Sequence, residues 1–349
     1  MTTTPATLLE VEDLDVVYLG LTDGENVKAC ADIGFTLKRG EILGIAGESA
    51  SGKSTLLNAV TRLQQPPAVT PKGSVRFYDD KHPAGIDLVS APEKILRTFR
   101  WSDISLVMQS AMACLNPVTR LQDQFADALH AHDRSLSRQQ IKERTAELLG
   151  MVGIAPQAMG KFAHELSGGM RQRALIALAL ACDPDLIVMD EPTTAVDVVM
   201  QRQILNQILR LQHRLGFAVI FVTHDLSLLL EMADRIAIMY GGRIVEIGAA
   251  RQIAEDPQHP YTQGLRNAFP SLTEPRRERH GIPGSPPDLR KLPSGCSFRP
   301  RCEEARGLCA VERPELVPTD RSVVACHVRA AEFSGGILPA APALEEASA

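Results

Sequence analysis

Residues 47–54 read Gly47-Glu48-Ser49-Ala50-Ser51-Gly52-Lys53-Ser54. Every fixed place of the phosphate-loop pattern G-x-x-x-x-G-K-S/T is filled. In such a loop, successive backbone N–H groups form an anion nest at a helix N-terminus, where the helix dipole also favours negative charge. Lys53 is placed to set a point charge on the β- and γ-phosphates, Ser54 to ligate Mg²⁺, and Thr55 to reach the α-phosphate. Upstream, Ile42–Ala46 is a short apolar run that reads as a buried strand, and from Lys53 to Leu63 the pattern turns helical. Strand, glycine-rich loop and helix in that order is the context the motif requires. An ordinary strand-turn-helix with a surface lysine is the bland alternative, and the loop alone does not separate holding a nucleotide from hydrolysing one.

The chain has 349 residues, 44% of them hydrophobic, enough for a large core and an accessory domain. A net charge of -5 gives no global electrostatic reason to expect nucleic acid as a partner. No stretch approaches eighteen apolar residues, and MTTTPATLLEVEDLD lacks the basic and apolar regions of a signal peptide. A cytoplasmic location with reduced thiols is therefore expected.

Leu8 to Leu19, Val27 to Leu37, Ile104 to Met108, Asp185 to Met189 and Ala218 to Val222 read as further strands. Helical patterns cover about Leu121 to Ala131, Ser137 to Val152 and Val198 to Leu215. The middle helices read as an insertion into an α/β core. Beyond Glu246, prolines punctuate a polar stretch where long regular elements are not expected, and the tail from about Gly335 reads as disordered.

Leu186-Ile187-Val188-Met189-Asp190-Glu191 is an apolar strand that delivers two carboxylates at its carboxyl end, where open α/β sheets bind ligands. Asp190 suits the Mg²⁺ shell, and Glu191 suits a base for the attacking water. Leu166-Ser167-Gly168-Gly169-Met170 opens another helical run, a second anion-binding terminus or else a plain serine cap.

In combination these segments resemble the ATP-binding subunits of ABC transporters. GESASGKS matches the Walker A loop, LIVMDE the Walker B strand and LSGGM the family signature. Gln109 fits the Q-loop, Ala195-Val196-Asp197 the D-loop, His224 the switch histidine, and Tyr18 the aromatic that stacks on adenine. The resemblance implies a P-loop NTPase fold: a RecA-like core, an antiparallel β subdomain and a helical subdomain at about 100–183, within residues 1–256. It also implies that two such domains pair head to tail. Ser167 of one then faces the γ-phosphate bound by the other, with Asp197 acting across the interface. Glu191 is the implied general base, His224 contacts the γ-phosphate, and Gln109 joins Ser54 and Asp190 around Mg²⁺. Ala50 departs from the family, which nearly always has glycine there, as do Met170 and Val196. If Ala50 is left-handed, its strain is about 1 to 2 kcal/mol, enough to weaken nucleotide binding roughly tenfold.

Leu115-Asn116-Pro117, HELSGGMRQR (164–173) and His259-Pro260-Tyr261-Thr262 are similar to the oligopeptide and dipeptide importer ATPases, in which the HPYT segment opens a C-terminal extension, here 257–334. That resemblance implies pairing with a related ATPase subunit or a second copy. It also implies docking on two transmembrane permeases at the cytoplasmic face of the membrane, served by an extracytoplasmic solute-binding protein. Oligosaccharide, nickel and opine importers share the scaffold, and ABC-type ATPases acting on nucleic acid or ribosomes form a second class.

Within the extension stand Cys296, Cys302, Cys309 and Cys326, separated by five, six and sixteen residues. Four thiols so close in a reduced compartment point to metal rather than disulfides. Structural zinc favours closer pairs, whereas wider spacing suits a 4Fe-4S cluster. Some importer ATPases with this cysteine pattern are similar in carrying one. The cluster is the expectation, as a structural staple, and zinc the alternative.

Overall fold

The computed structural model describes residues 7–20, 25–108, 114–193, 197–268 and 281–334. Two sheets organise them. The first is antiparallel, with strand order β2-β1-β4-β5, formed by β1 (Thr7–Tyr18), β2 (Val27–Lys38), β4 (Ala68–Phe77) and β5 (Ile86–Asp87). The second has the order β11-β12-β10-β9-β3-β8-β7-β6. Its parallel centre runs through β9 (Arg235–Tyr240), β3 (Ile42–Ala46), β8 (Ala218–Thr223), β7 (Leu186–Asp190) and β6 (Ile104–Val107).

The central strands are buried on both faces, so they carry apolar residues at consecutive positions. Their two-residue period still sorts the side chains. Leu43, Ile45, Val188, Ile220 and Val222 pack toward the antiparallel sheet, and Ile42, Ala46, Met189, Val219 and Phe221 pack toward the helical side. Register then aligns the strand ends: Ala46 pairs with Thr223, and Asp190 with Val222. Whatever follows these three strands emerges on one edge of the sheet.

Between β6 and β7 lie the helices Leu121–His132, Arg138–Met151 and Gly168–Ala179. Ser137 and Gln140 form a reciprocal capping box at the second of them. The helix Val198–Leu215 buries Ile204, Leu205, Ile208 and Leu211, the stripe expected of a period near 3.6.

The strands β4, β9 and β10 were not anticipated from sequence. β4 contains Pro71, Lys72 and Gly73, which read as loop, yet it pairs with β1 along most of its length. β9 and β10 (Arg243–Ala249) form a hairpin across Gly241-Gly242, a turn signal present in the chain but not used. The polar C-terminal stretch adds two short strands to the main sheet: β12 (Val323–Val324) pairs with β10, and β11 (Val317–Pro318) with β12.

Candidate functional site

The loop after β3 closes on its own lysine. Lys53 is 7% exposed, and its Nζ donates to Gly47 O and Glu48 O, each at 2.8 Å. Burial lowers the Lys53 pKa, against the opposing pull of Glu191, Asp190 and Glu48. Ala50 has φ 62, the left-handed region that its Cβ disfavours. Ser49 and Ser51 flank it, and Gly52 caps the helix Lys53–Val60. Tyr18 Oη and Thr55 Oγ1 lie 3.2 Å apart, so β1 of the antiparallel sheet touches the loop's helix.

β7 brings two carboxylates to the same edge. Asp190 is 9% exposed, and its Oδ1 is buried without a hydrogen-bond partner. Burial raises its pKa, Glu191 adds to that, and Ser54 and Lys53 pull it down. A buried, unmatched carboxylate oxygen beside Ser54 and Lys53 fits a hard cation such as Mg²⁺, which takes oxygen ligands. Glu191 has φ 44, a strained backbone of the kind found at functional sites, and its N–H donates to Val222 O at 2.9 Å. His224, directly after β8, sets Nδ1 3.1 Å from Glu191 Oε1.

The third segment lies at a different helix start. Ser167 is exposed and caps the helix Gly168–Ala179, its Oγ accepting from Met170 N at 3.3 Å, while Leu166 is buried below it. Gly169 is a point of close approach, since a Cβ there would lie 2.6 Å from Met200 Sδ. Met200 N donates in turn to Asp197 Oδ1 at 2.9 Å, and Asp197 caps the helix Val198–Leu215. Ser167, Gly168, Gly169 and Asp197 therefore sit on two adjoining helix starts. Gln109, Ala195 and Val196 lie outside the described residues.

In the extension, His259-Pro260-Tyr261-Thr262 has a physical reading that the motif alone did not provide. His259 is buried and its Nδ1 accepts from Tyr261 N at 3.0 Å, capping the helix Pro260–Ala268, with Pro260 at the first position, where no N–H is needed. Burial, then Arg329, lowers the His259 pKa to about 3, so it is held neutral. Glu246, 0% exposed in the middle of β10, accepts from Gln258 N, His259 N and Ser322 Oγ at 2.8 to 2.9 Å and so fastens the extension at two points.

Cys296, Cys302, Cys309 and Cys326 all line one small cavity of about 20 Å³, together with Phe298 and Pro314. Gly295, at φ 67, lets the chain approach closely enough for Cys296 N to donate to Cys309 O at 2.9 Å; a Cβ there would sit 2.3 Å from that oxygen. Burial pushes the Cys296 thiol up to about 11 and Cys302 up to about 12, with neighbouring cysteines adding to the rise. Among the described residues no three His, Cys, Asp or Glu side chains converge tightly enough to hold a metal ion, so the expected metal centre is not preformed. The thiols line the walls of a cavity instead of meeting at a point. As a donor set, four thiols around one space, those of Cys309 and Cys326 buried and those of Cys296 and Cys302 half-buried, suit a thiophilic group that touches all of them. Sequence reading missed Arg301, which lies between two of these cysteines and reaches Glu48 of the phosphate loop; nothing local in the chain signals that bond.

Comparison with known proteins places these segments. The family model described as ABC transporter matches residues 30–194, and that described as Oligopeptide/dipeptide transporter, C-terminal region, matches residues 245–309. The dipeptide transport ATP-binding protein DppD of Caldanaerobacter subterraneus is 40% identical over 323 residues, 92% of this chain and 97% of that protein. The oligopeptide transport ATP-binding proteins OppD of Bacillus subtilis and Salmonella typhimurium are each 41% identical, over 88% and 86% of this chain and 85% and 88% of their own lengths. Among solved structures, the dimeric ABC transporter cassette MJ0796 superposes with a TM-score of 0.61 at 26% identity, covering 70% of this chain and 99% of that one. The same cassette in a post-hydrolysis state with ADP and Pi gives 0.60 at 27%.

Proposed function

Because the chain belongs to the family of ATP-binding subunits of oligopeptide and dipeptide ABC transporters, we propose that it binds and hydrolyses ATP to drive uptake of peptides across the cytoplasmic membrane. The observation that carries the ATPase reading is the gathering of Lys53, Asp190, Glu191 and His224 at one sheet edge, where β3, β7 and β8 end in register.

In this reading the backbone N–H groups of Gly47–Ser54 and the Lys53 ammonium bind the phosphates, with Thr55 beside them and Tyr18 against the adenine. Ser54, Asp190 and Gln109 hold Mg²⁺, which when bound neutralises charge on the phosphate oxygens. Glu191 takes the proton of the attacking water through a carboxylate oriented by His224, whose ring also faces the γ-phosphate. Lys53, freed from the Gly47 and Glu48 carbonyls, turns its three donors to phosphate oxygen. The exposed Ser167, with Leu166 to Met170 around it, and Asp197 serve the nucleotide of a second ATP-binding subunit.

That partner is a related subunit or a second copy, and the pair docks on two transmembrane permeases supplied by a solute-binding protein. Among the described residues no helix is long and apolar enough to cross a membrane, which agrees with peripheral attachment through the permeases. The four cysteines take a 4Fe-4S cluster, with zinc the alternative. That all four face one space supports this, and a cation would offset the cost of ionising Cys296, Cys302 and Cys326, whose thiols burial raises. Anaerobically purified protein then carries about four irons per chain; stoichiometric zinc in their place selects the alternative.

Glu191→Gln tests the assignment of the base. It should bind MgATP and lower turnover by about 10² to 10⁴, measured as phosphate release at saturating ATP. Wild-type turnover in that variant removes Glu191 from the role. Peptide uptake into vesicles holding the assembled transporter tests the solute.

A further inference from the structure

Glu48 lies two residues before the strained Ala50, and both of its ends are held by the C-terminal extension. Its backbone N–H donates to Tyr261 Oη at 2.8 Å. Its carboxylate accepts from Arg301 Nη1 at 2.7 Å and Nη2 at 3.0 Å, a two-pronged charge-assisted pair. Both partners are themselves immobilised. Arg301 is 7% exposed, donates from Nε to Pro283 O at 2.6 Å, and lies over the rings of Tyr240 and Phe298. The Glu48 carboxylate, with Tyr240 adding to it and burial opposing, holds its pKa above the ordinary arginine value. Tyr261 is fully buried and packs on Tyr240, with ring centres 4.5 Å apart, and on Phe298 at 5.4 Å.

A non-glycine residue stays in the left-handed region only when its surroundings over-determine it. Here the loop is pinned on both sides of Ala50. The Tyr261 and Arg301 contacts hold Glu48, Ser51 N donates to Glu48 O at 3.3 Å, and Gly242 N donates to Ser51 O at 3.1 Å. The guanidinium also neutralises a carboxylate that would otherwise stand unpaired within a loop built to bind phosphate.

We propose that Arg301 and Tyr261 are positioning residues for ATP: the extension grips Glu48 and keeps the Ala50-strained phosphate loop preformed for the nucleotide. The extension is then part of the nucleotide site as well as a neighbour of it. The proposal rests on nucleotide binding at this loop. A preformed loop binds more tightly than one that must be ordered on binding, so releasing the grip costs affinity and much less of the rate once ATP is bound.

The test is equilibrium MgATP binding to the full-length chain, with phosphate release at saturating ATP alongside. Arg301→Met should raise the Kd about tenfold, and Arg301→Lys, which keeps charge but loses the fork, should fall between it and wild type. Tyr261→Phe keeps the ring packing and loses one bond, so it should raise the Kd about threefold while folding as wild type does. Arg301→Met combined with Glu48→Gln should be no weaker than Arg301→Met alone, because the two act through one contact. Placed in an Ala50→Gly background, Arg301→Met should cost less than threefold, since the strain it releases is gone; a merely structural role for Arg301 would give the same loss in both backgrounds. Unchanged Kd in Arg301→Met and Tyr261→Phe, or equal losses with Ala50 and with glycine, overturns the proposal. Wild-type protein that binds no MgATP would instead break the nucleotide reading itself.

Discussion

Lys53, Asp190 and His224 come together at the ends of three strands, whereas Cys296, Cys302, Cys309 and Cys326 come together with almost no regular structure around them. In the first region, a hydrogen-bonded register carries the residues to one edge, so a residue's place in its strand decides where it ends up. In the second, a close glycine contact, a few turns and the two-residue strands β11 and β12 do the placing. Two kinds of fragility follow. The sheet edge depends on buried area spread over many side chains, and the extension on a few buried polar contacts, each irreplaceable.

The largest expected effect breaks the second region and spares the first. Glu246→Ala would leave Gln258 N, His259 N and Ser322 Oγ without their acceptor. At 1 to 3 kcal/mol for each of the three orphaned groups, the loss is about 3 to 9 kcal/mol. Denaturant unfolding should show it as an earlier transition of the extension, and a loss confined to the sheet core would contradict the division drawn here.

A smaller effect comes through pH. His259 is neutral in the fold, with its pKa lowered to about 3, whereas in the unfolded chain it protonates near its ordinary value of 6.5. Its contribution is fully present above pH 6.5 and is lost as pH falls from there toward 3. Between pH 6.5 and 5 the loss is about 2 kcal/mol. Thermal midpoints of wild type and His259→Asn across this range should converge at the acid end, because the asparagine does not titrate.

The smallest effect lies in the first region. Ala50→Gly removes a left-handed alanine at φ 62, worth about 1 to 2 kcal/mol; with the loop already held by the contacts at Glu48, the gain should appear in unfolding stability, with MgATP affinity changed by less than about threefold. Tightening by about tenfold would mean that the strain reaches the ligand in spite of those contacts.

Much of the sheet-edge site was legible residue by residue. Ile42–Ala46, Leu186–Asp190 and Ala218–Thr223 announce themselves as short apolar runs because a strand buried on both faces has no polar positions to spare. The polar residues following them are then conspicuous. β4 was illegible because it belongs to a sheet with an open face, where Pro71 and Gly73 are tolerated, and its pairing with β1 outweighs local preference. The link between signature and D-loop segments was illegible for another reason. Gly169 against Met200 is a contact between helices about thirty residues apart, and neither residue marks the other.

The amino-acid sequence by itself determined the phosphate loop, the two carboxylates after β7, the serine at the start of the helix Gly168–Ala179 and the four cysteines, since each is a matter of local spacing along one chain. Only the tertiary structure decided that Ala50 is left-handed, that Asp190 keeps an unmatched oxygen, that His224 meets Glu191, and that Tyr261 and Arg301 hold Glu48 across 213 and 253 positions. Such contacts exist because the core excludes water and leaves buried polar groups to find each other, a selection that acts on distance in space and not along the chain.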